Sequence, residues 1–274
     1  MRISICNEVI AEFSFARQCA FARSVGYDGI EITPMTLSAE PHVLPRAQRV
    51  EVRRAAADAG IAITGLHYLL RAPAGLSITT ADANRRARTI DVMWRLCDLA
   101  ADLGAGVLVH GSPEQRQLEP GKETDGRRRA VECLAAVAAA AEAARVTYCV
   151  EPLARDLTGC INTVEEAATI VRQIGSPAIR TMIDCSSAAR TEAESIPDLL
   201  ARWLPTGLIG HMHFNDPNRR GPGEGALAFA PILAALRTYD RDAAIEPFVY
   251  EPDGPTCAAR QIGYIGGLRE ALGL

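Results

Sequence analysis

Short apolar runs alternate along the whole chain with longer stretches in which apolar residues recur at helical spacing. The short runs are nearly continuous in apolar residues, which is typical of parallel strands covered on both faces. The pattern predicts eight strands, at Ile3–Cys6, Gly29–Ile32, Ile61–Leu66, Gly106–His110, Thr147–Glu151, Thr181–Asp184, Leu208–Phe214 and Ala243–Glu246. A helix is predicted after each strand, at about Ser14–Val25, Arg46–Ala59, Asp82–Leu103, Asp125–Ala144, Val164–Ile174, Ile196–Trp203, Phe229–Tyr239 and Cys257–Leu272.

Eight strand–helix pairs favour a closed (β/α)8 TIM barrel, because an open doubly wound sheet usually stops at five or six strands. Gly60, Gly104 and Gly175 fall just past predicted helix ends, where a left-handed residue is favoured. Thr163 has a glutamate three positions on, which is the spacing of a capping box. No linker or shift in composition divides the chain, so residues 1–274 are predicted to form a single barrel domain.

Polar residues stand at the ends of the predicted strands. They are Asn7 and Glu8, Glu31, His67, His110, Glu151, Asp184, His213 and Glu246. The carboxyl ends of barrel strands share one face, and acids gathered there would repel one another unless a cation lay among them. Three carboxylates and one imidazole form an oxygen-rich ligand set that suits Mn²⁺, Mg²⁺ or Co²⁺, with Zn²⁺ as an alternative. The strand ends therefore predict a divalent metal site.

Two histidines of the seventh strand compete for the role of ligand. His211 and His213 are two positions apart and therefore face the same side of the strand. One is expected to bind the metal and the other to lie deeper in the barrel, and the spacing alone does not distinguish them. Cys185 directly follows Asp184 and is expected to point away from the site as a structural residue.

Composition narrows the classes of function. A net charge of −4 does not favour a nucleic-acid or membrane surface as partner. Lys122 is the only lysine and lies in a polar run, which argues against Schiff-base chemistry. Eight cysteines are scattered without a CxxC pair, and we expect them to be reduced and buried in a cytoplasmic protein.

Seven segments that contain the polar strand-end residues give the chain a family resemblance that spans essentially its whole length. They read VGYDGIEI, GLHYLL, VLVHGSP, YCVEPLAR, TMIDCSSA, GHMHFNDPNRRGPGEG and AIEPFVY, of which the sixth is the most specific. The chain resembles the xylose-isomerase-like TIM-barrel superfamily of sugar phosphate isomerases and epimerases. Within that superfamily it is similar to the ketose 3-epimerase branch, the tagatose and psicose 3-epimerases.

The resemblance implies a metal centre and a pair of catalytic residues. Glu151, Asp184, His213 and Glu246 match the family's metal ligands, with Mn²⁺ as the expected ion and Mg²⁺, Co²⁺ or Zn²⁺ as alternatives. Glu151 and Glu246 would lie on opposite faces of a bound ketose and exchange the proton on the carbon beside its carbonyl. This arrangement implies an epimerase or isomerase that works through an enediolate.

The resemblance also implies substrate-binding residues. Arg219 matches a family arginine that holds substrate oxygens, and His67 and His110 match positions that line the same pocket. Glu224 lies in a loop that shapes the site, where it is expected to order Arg219 or a neighbour.

Two positions depart from the ketose 3-epimerase pattern. Ser187 stands where that branch has a histidine that binds the carbonyl region of the substrate, and a serine can still donate one hydrogen bond there. Leu157 stands where the branch has an acid, although Asp156 is adjacent. These differences bear on the substrate and on the outcome of the reaction.

Three other functions are alternatives to the epimerase. A lyase or dehydratase of the same superfamily would act on a keto-inositol, a dehydroshikimate-like compound or a 3-keto-glycoside. A non-catalytic sugar-binding barrel would be expected to have lost ligands. An apurinic endonuclease needs further histidines and a basic groove, which the sequence lacks. The expected partner is a small keto-sugar, and the resemblance implies a homodimer or homotetramer.

Overall fold

The eight strands close into a barrel. In a computed structural model that describes all 274 residues, every strand lies parallel to its neighbours in chain order, and β1 pairs with β8. The strands are β1 (Ile3–Cys6), β2 (Gly29–Ile32), β3 (Ala62–Leu66), β4 (Val107–His110), β5 (Thr147–Val150), β6 (Ile179–Asp184), β7 (Ile209–Phe214) and β8 (Ala243–Ile245). The predicted (β/α)8 TIM barrel is confirmed.

Helices surround the barrel and cover its outer surface. They are α1 (Phe15–Val25), α2 (Arg46–Ala59), α3 (Ala83–Leu103), α4 (Glu123–Ala136), α5 (Ala138–Ala144), α6 (Val164–Ile174), α7 (Cys185–Thr191), α8 (Ile196–Trp203), α9 (Phe229–Ala235) and α10 (Gly254–Leu272). Shorter 3-10 turns occupy Asn7–Ile10, Pro34–Thr36, Pro41–Val43, Leu69–Arg71, Pro113–Arg116 and Leu204–Thr206. A continuous core of 63 buried apolar residues joins helices and strands. No helix has the length and apolar character that a membrane crossing requires.

A second, small apolar cluster is formed by strand residues. Val107 and Val109 of β4 pack there with Cys149 of β5 and Met182 of β6. Side chains alternate across a strand, so these residues face the barrel interior while their neighbours face the helices. All eight cysteines of the chain are buried and free of disulfide bonds.

The helix boundaries were predicted well where the sequence carries a capping residue. Gly60, Gly104 and Gly175 adopt φ values of +68°, +79° and +72° at the ends of α2, α3 and α6. Thr163 caps α6 by accepting a hydrogen bond from the Glu166 backbone N–H at 3.2 Å. The Glu166 carboxylate, however, accepts from the N–H of Asn162 rather than that of Thr163, so only half of the capping box forms.

Two stretches differ from the prediction. The long helix predicted over 125–144 is divided at Val137 into α4 and α5. The helix α7, directly after β6, was missed because its seven residues, CSSAART, carry no apolar period. The Asp184 carboxylate begins α7 by accepting a hydrogen bond from the Ser187 N–H at 2.6 Å.

Candidate active site

Four side chains converge at the carboxyl ends of the last four strands. Glu151 follows β5, Asp184 ends β6, His213 lies in β7 and Glu246 follows β8. One nitrogen or oxygen from each lies within 4.8 Å of the others, and all four residues are buried. The structure therefore brings together the four side chains that the sequence singled out as metal ligands. Donors gathered this closely around one point are what a single divalent cation needs.

The imidazole of His213 is oriented by a carboxylate on its far side. Its Nε2 donates a hydrogen bond to Glu31 Oε1 at 3.0 Å. Its Nδ1 lies 3.0 Å from Glu246 Oε2 and 3.5 Å from Glu151 Oε1, and neither contact has hydrogen-bond geometry. Burial lowers the pKa of His213, but the charges of Glu246 and Glu31 outweigh it and raise the pKa well above its ordinary value. The surroundings of Nδ1 thus favour a positive charge.

The carboxylate of Asp184 shows how much negative charge is concentrated here. Burial, followed by the charges of Glu151 and Glu246, raises the pKa of Asp184 to about 7. Its two oxygens accept hydrogen bonds from the Ser187 N–H and from Asn215 Nδ2, each at 2.6 Å. A bound cation would relieve the repulsion among the three carboxylates. The donor set and the electrostatics both fit a divalent metal ion.

Glu31 joins the two histidines of β7. Its Oε2 lies 2.8 Å from His211 Nε2, while its Oε1 accepts from His213. Burial would raise the pKa of Glu31, but His211 and His213 lower it well below its ordinary value. Metal-binding histidines usually donate their other ring N–H to such a carboxylate. His211 therefore lies deeper in the barrel, and His213 is the histidine that faces the other three candidate ligands.

The carboxylate of Glu246 is held by a second histidine. His67 Nδ1 lies 2.9 Å from Glu246 Oε1, and its Nε2 lies 3.0 Å from Glu8 Oε2 and 2.7 Å from Thr33 Oγ1. Burial lowers the pKa of His67, but Glu8 and Glu246 outweigh it and raise the pKa to about 10. Burial raises the pKa of Glu246, but His213 and His67 lower it to about 2.

Glu151 is placed by its backbone rather than by side-chain donors. Its carbonyl oxygen accepts a hydrogen bond from Arg116 Nη2 at 2.8 Å. Its carboxylate lies against Gly111, where a Cβ atom would overlap with Oε2, so no other residue fits at position 111 without displacing it. Beyond the 3.5 Å approach to His213, the carboxylate is open to the cavity.

Glu151, Asp184 and Glu246 line a cavity of about 280 Å³, and His213 is fully buried beside them. The polar part of the lining comprises Glu151, Asp184, Ser186, Ser187, Arg219 and Glu246. The lining also includes Glu114 and five other residues, Tyr68, Pro113, Leu153, Leu157 and Phe248. An ion pair between Arg190 and Asp156 also lines the cavity. A cavity in which a few polar groups converge among apolar and aromatic side chains is typical of a small-molecule site.

Arg219 approaches the cavity from a strained backbone position. Its φ is +69°, and its carbonyl oxygen accepts hydrogen bonds from the N–H groups of Phe248 and Val249 at 2.8 and 3.0 Å. The guanidinium carbon lies 5.5 Å from the centre of the Phe248 ring. No carboxylate of the protein pairs with this guanidinium, so its donors are available to a ligand.

Three residues expected to bind substrate lie outside the cavity lining. His67 is behind Glu246, as described above. His110 is fully buried, with its Nδ1 2.8 Å from the Tyr148 hydroxyl, and burial lowers its pKa to about 3. The Glu224 carboxylate accepts from Arg260 Nη1 at 2.6 Å and from Gln261 Nε2 at 2.5 Å, so the neighbour it orders is on α10 and is not Arg219.

Sequence reasoning missed the central role of Asn215. Its Nδ2 donates to Asp184 Oδ2 at 2.6 Å and to the Glu246 carbonyl at 3.1 Å, and its Oδ1 accepts from the Ser186 N–H at 2.8 Å. The amide therefore ties the ends of β6 and β8 together. The signal was present, because Asn215 follows His213 by two positions and shares its side of the chain.

Comparisons with a family model and with individual proteins agree on what this chain is similar to. The family described as "Xylose isomerase-like TIM barrel" matches residues 19–262. A D-psicose 3-epimerase of Enterocloster bolteae is 30% identical over 232 residues, which cover 83% of this chain and 75% of that protein. An L-ribulose 3-epimerase of Mesorhizobium japonicum is 29% identical over 247 residues, covering 88% of this chain and 78% of that protein.

Solved structures agree at the level of the fold. A crystal structure of D-psicose 3-epimerase in the presence of D-fructose superposes with a TM-score of 0.84 at 22% identity and covers 100% of both chains. The apo form of an E. coli 3-keto-D-glucoside 4-epimerase superposes with a TM-score of 0.84 at 19% identity, covering 97% of this chain and 99% of that one. The relatives are thus enzymes named as sugar epimerases, and the neighbours share the whole barrel.

Proposed function

This chain belongs to the xylose isomerase-like TIM barrel family, and on that premise we propose that it is a divalent-metal-dependent epimerase or isomerase of a ketose or related keto-sugar. The observation that carries the proposal is the convergence of Glu151, Asp184, His213 and Glu246, three of which line one cavity. The naming of sequence relatives as D-psicose and L-ribulose 3-epimerases supports the substrate class.

The proposed chemistry begins with a proton beside a ketone. A divalent cation held by the four side chains would act as a Lewis acid toward the negative charge that develops on the carbonyl oxygen, and Mn²⁺ is the ion we expect. Glu151 presents an open carboxylate to the cavity and can take the proton. Glu246, held anionic by His213 and His67, can do the same from the other side. Inversion requires that one glutamate removes the proton as a carboxylate while the other, having first taken up a proton from solvent, delivers that proton to the opposite face of the carbon.

Two cavity residues are proposed to hold the sugar. The unpaired guanidinium of Arg219 offers its fork of donors to hydroxyl oxygens, and its ordering by Phe248 reduces the entropy lost on binding. Ser187 lies beside Asp184 at the start of α7, so its hydroxyl is within the same cavity wall. Both groups would fix the sugar against the two glutamates, which makes proton transfer effectively intramolecular.

Isotope exchange tests the proposal directly. The metal-stripped protein, reloaded with Mn²⁺, is incubated in D₂O with D-psicose, L-ribulose, D-fructose and a 3-keto-glycoside. We expect deuterium to enter the carbon beside the carbonyl and the epimer to accumulate, and no exchange in the metal-free protein. Exchange accompanied by an α,β-unsaturated ketone would indicate a lyase instead. Metal binding without exchange on any sugar would contradict the proposal and indicate a sugar-binding barrel.

The two glutamates give the sharpest variants. Glu151→Gln and Glu246→Gln are each expected to lower the epimerisation rate by about 10²–10⁴-fold, the usual contribution of a general acid or base. Glu119→Gln is the matched control, because this carboxylate is half exposed and pairs only with Lys122. Equal rates in all three variants would exclude the acid–base roles.

A further inference from the structure

Arg116 is the largest fully buried side chain of the molecule. It ends the 3-10 turn Pro113–Arg116 that follows β4. A guanidinium carries five N–H donors, yet only Nη2 has a protein acceptor, and Nε and Nη1 are buried without a partner. No carboxylate forms an ion pair with it. A buried charge in this state is destabilising, so its retention calls for a reason other than stability.

The contacts of Arg116 lead to the candidate site. Nη2 donates to the carbonyl oxygen of Glu151 at 2.8 Å, where β5 has just ended. The carbonyl of Arg116 accepts from Thr158 Oγ1 at 3.1 Å. Thr158 belongs to the loop after β5, and Leu153 and Leu157 of the same loop line the cavity. Arg116 therefore connects the loop after β4 to the start and to the middle of the loop that carries Glu151.

The position of Glu151 depends on few other contacts. Its carboxylate receives no hydrogen bond from a side-chain donor of good geometry, whereas Glu246 lies beside two imidazoles. The backbone at the end of β5 must therefore be held by other means if the carboxylate is to face Asp184, His213 and Glu246. The Arg116 guanidinium is the side chain that makes this contact.

We propose that Arg116 is a positioning residue that holds the end of β5 so that the Glu151 carboxylate faces the metal centre. Its charge also interacts with that of the Glu151 carboxylate. The inference rests on the proposed function, because Glu151 is there both a ligand and an acid–base group. It goes further by assigning a role to a residue that neither touches the cavity nor binds the metal.

The chain offers a closely matched control in Arg129. This residue is also buried, and its Nε donates to the carbonyl oxygen of Thr79 at 2.8 Å. It belongs to α4 and takes no part in the cavity lining. Arg116→Met and Arg129→Met therefore remove the same kind of contact, one beside Glu151 and the other away from it.

Metal affinity provides a test that needs no substrate. Mn²⁺ is titrated calorimetrically into the metal-stripped full-length protein, and kcat and KM are then measured with the best ketose. We expect Arg116→Met to weaken Mn²⁺ binding by about 10–100-fold, as is usual for residues that orient a ligand from behind. We expect kcat to fall more than KM rises. Arg129→Met should leave both quantities unchanged, and Arg116→Lys, which keeps a charged donor, should recover most of the affinity.

The outcomes separate the two proposals. A wild-type protein that binds no Mn²⁺ would overturn the proposed function and this inference with it. If Arg116→Met binds Mn²⁺ as tightly as the wild-type protein, the inference alone is overturned. Equal losses of Mn²⁺ affinity in Arg116→Met and Arg129→Met would overturn it as well. If circular dichroism shows that Arg116→Met does not fold, Arg116→Gln and Arg116→Lys replace it. Mn²⁺ binding that is weaker in Arg116→Gln than in Arg116→Lys would support the role. Equal Mn²⁺ affinities in these two variants would refute it.

Discussion

Glu246 and Glu151 occupy similar places, just beyond the ends of β8 and β5, but the protein holds them by different means. Glu246 has an imidazole beside each oxygen, His67 at 2.9 Å from Oε1 and His213 at 3.0 Å from Oε2. Glu151 has its carboxylate open to the cavity and depends on the space above Gly111. One glutamate is fixed through polar side chains, and the other through backbone and shape.

The difference separates two ways of holding the glutamates that we propose as the proton-transferring pair. The imidazoles keep Glu246 anionic, with a pKa of about 2, and restrict its rotation. The Glu151 carboxylate has no side-chain hydrogen bond, and its position depends on the main chain and on the space above Gly111. The two glutamates should therefore be sensitive to different substitutions, a steric one for Glu151 and a polar one for Glu246.

Among the substitutions that probe this difference, Gly111→Ala is expected to have the largest effect on the rate. The added Cβ would displace the Glu151 carboxylate, and a misplacement of about 1 Å in an active site can cost about 10²-fold in rate. Kinetics of epimerisation in both directions measure the loss. Gly106→Ala is the control, since a Cβ there would meet nothing nearer than the Thr64 carbonyl at 3.9 Å. Wild-type rates in Gly111→Ala would show that Glu151 tolerates movement.

A smaller effect is expected from His67→Gln. Glu246 would lose the donor at Oε1, and the rate should fall by about 10-fold, at the lower end of the range for residues that orient a ligand. Steady-state kinetics with a ketose measure this loss, and His42→Gln, in the loop before α2, serves as control. If His67 instead contacts substrate, KM will rise while kcat stays constant, and the contrast between the two glutamates would lose its basis.

A separate effect, on stability rather than on rate, concerns the pH dependence near Glu151. Burial and then the charge of Arg116 lower the pKa of His110 to about 3, whereas the unfolded chain protonates it near 6.5. The contribution of His110 to the free energy of unfolding is therefore fully present above pH 6.5 and is lost as the pH falls toward 3, by at most about 1.4 kcal/mol per pH unit. Urea unfolding between pH 4 and 7 should show that the free energy of unfolding depends less steeply on pH in His110→Phe than in the wild-type protein. Parallel slopes would mean that His110 is charged when folded.

The sequence predicted the convergence of the four candidate ligands for a geometric reason. In a barrel of parallel strands every strand delivers its last residue to the same face, so polar residues such as Asp184 and His213 had to meet there. The choice between His211 and His213 could not be made from spacing, because both face one side. It depends on Glu31, whose carboxylate lies between the two rings.

The supporting residues were harder to predict because their roles depend on side-chain conformation. His67 was expected in the pocket, but its ring turns behind Glu246. Arg116 lies in a polar segment of the sequence, where a guanidinium is normally solvated, and nothing there indicates complete burial. Glu224 was expected to order Arg219 or a neighbour, and only the packing of α10 shows that Gln261 and Arg260 are its partners.

The contacts that cross the barrel have a consequence for how the chain matures. Glu31 and His213 are 182 positions apart, and His67 and Glu246 are 179 apart. A partly synthesised chain would contain Glu31 and His67 before the candidate ligands of β5 to β8 exist, and a carboxyl-terminal fragment would contain those ligands without the two residues that orient them. Tight binding of a cation at this site should therefore begin only after β1 and β8 have paired and closed the barrel. The ion would then be bound in the last step of folding and would stabilise the closed barrel.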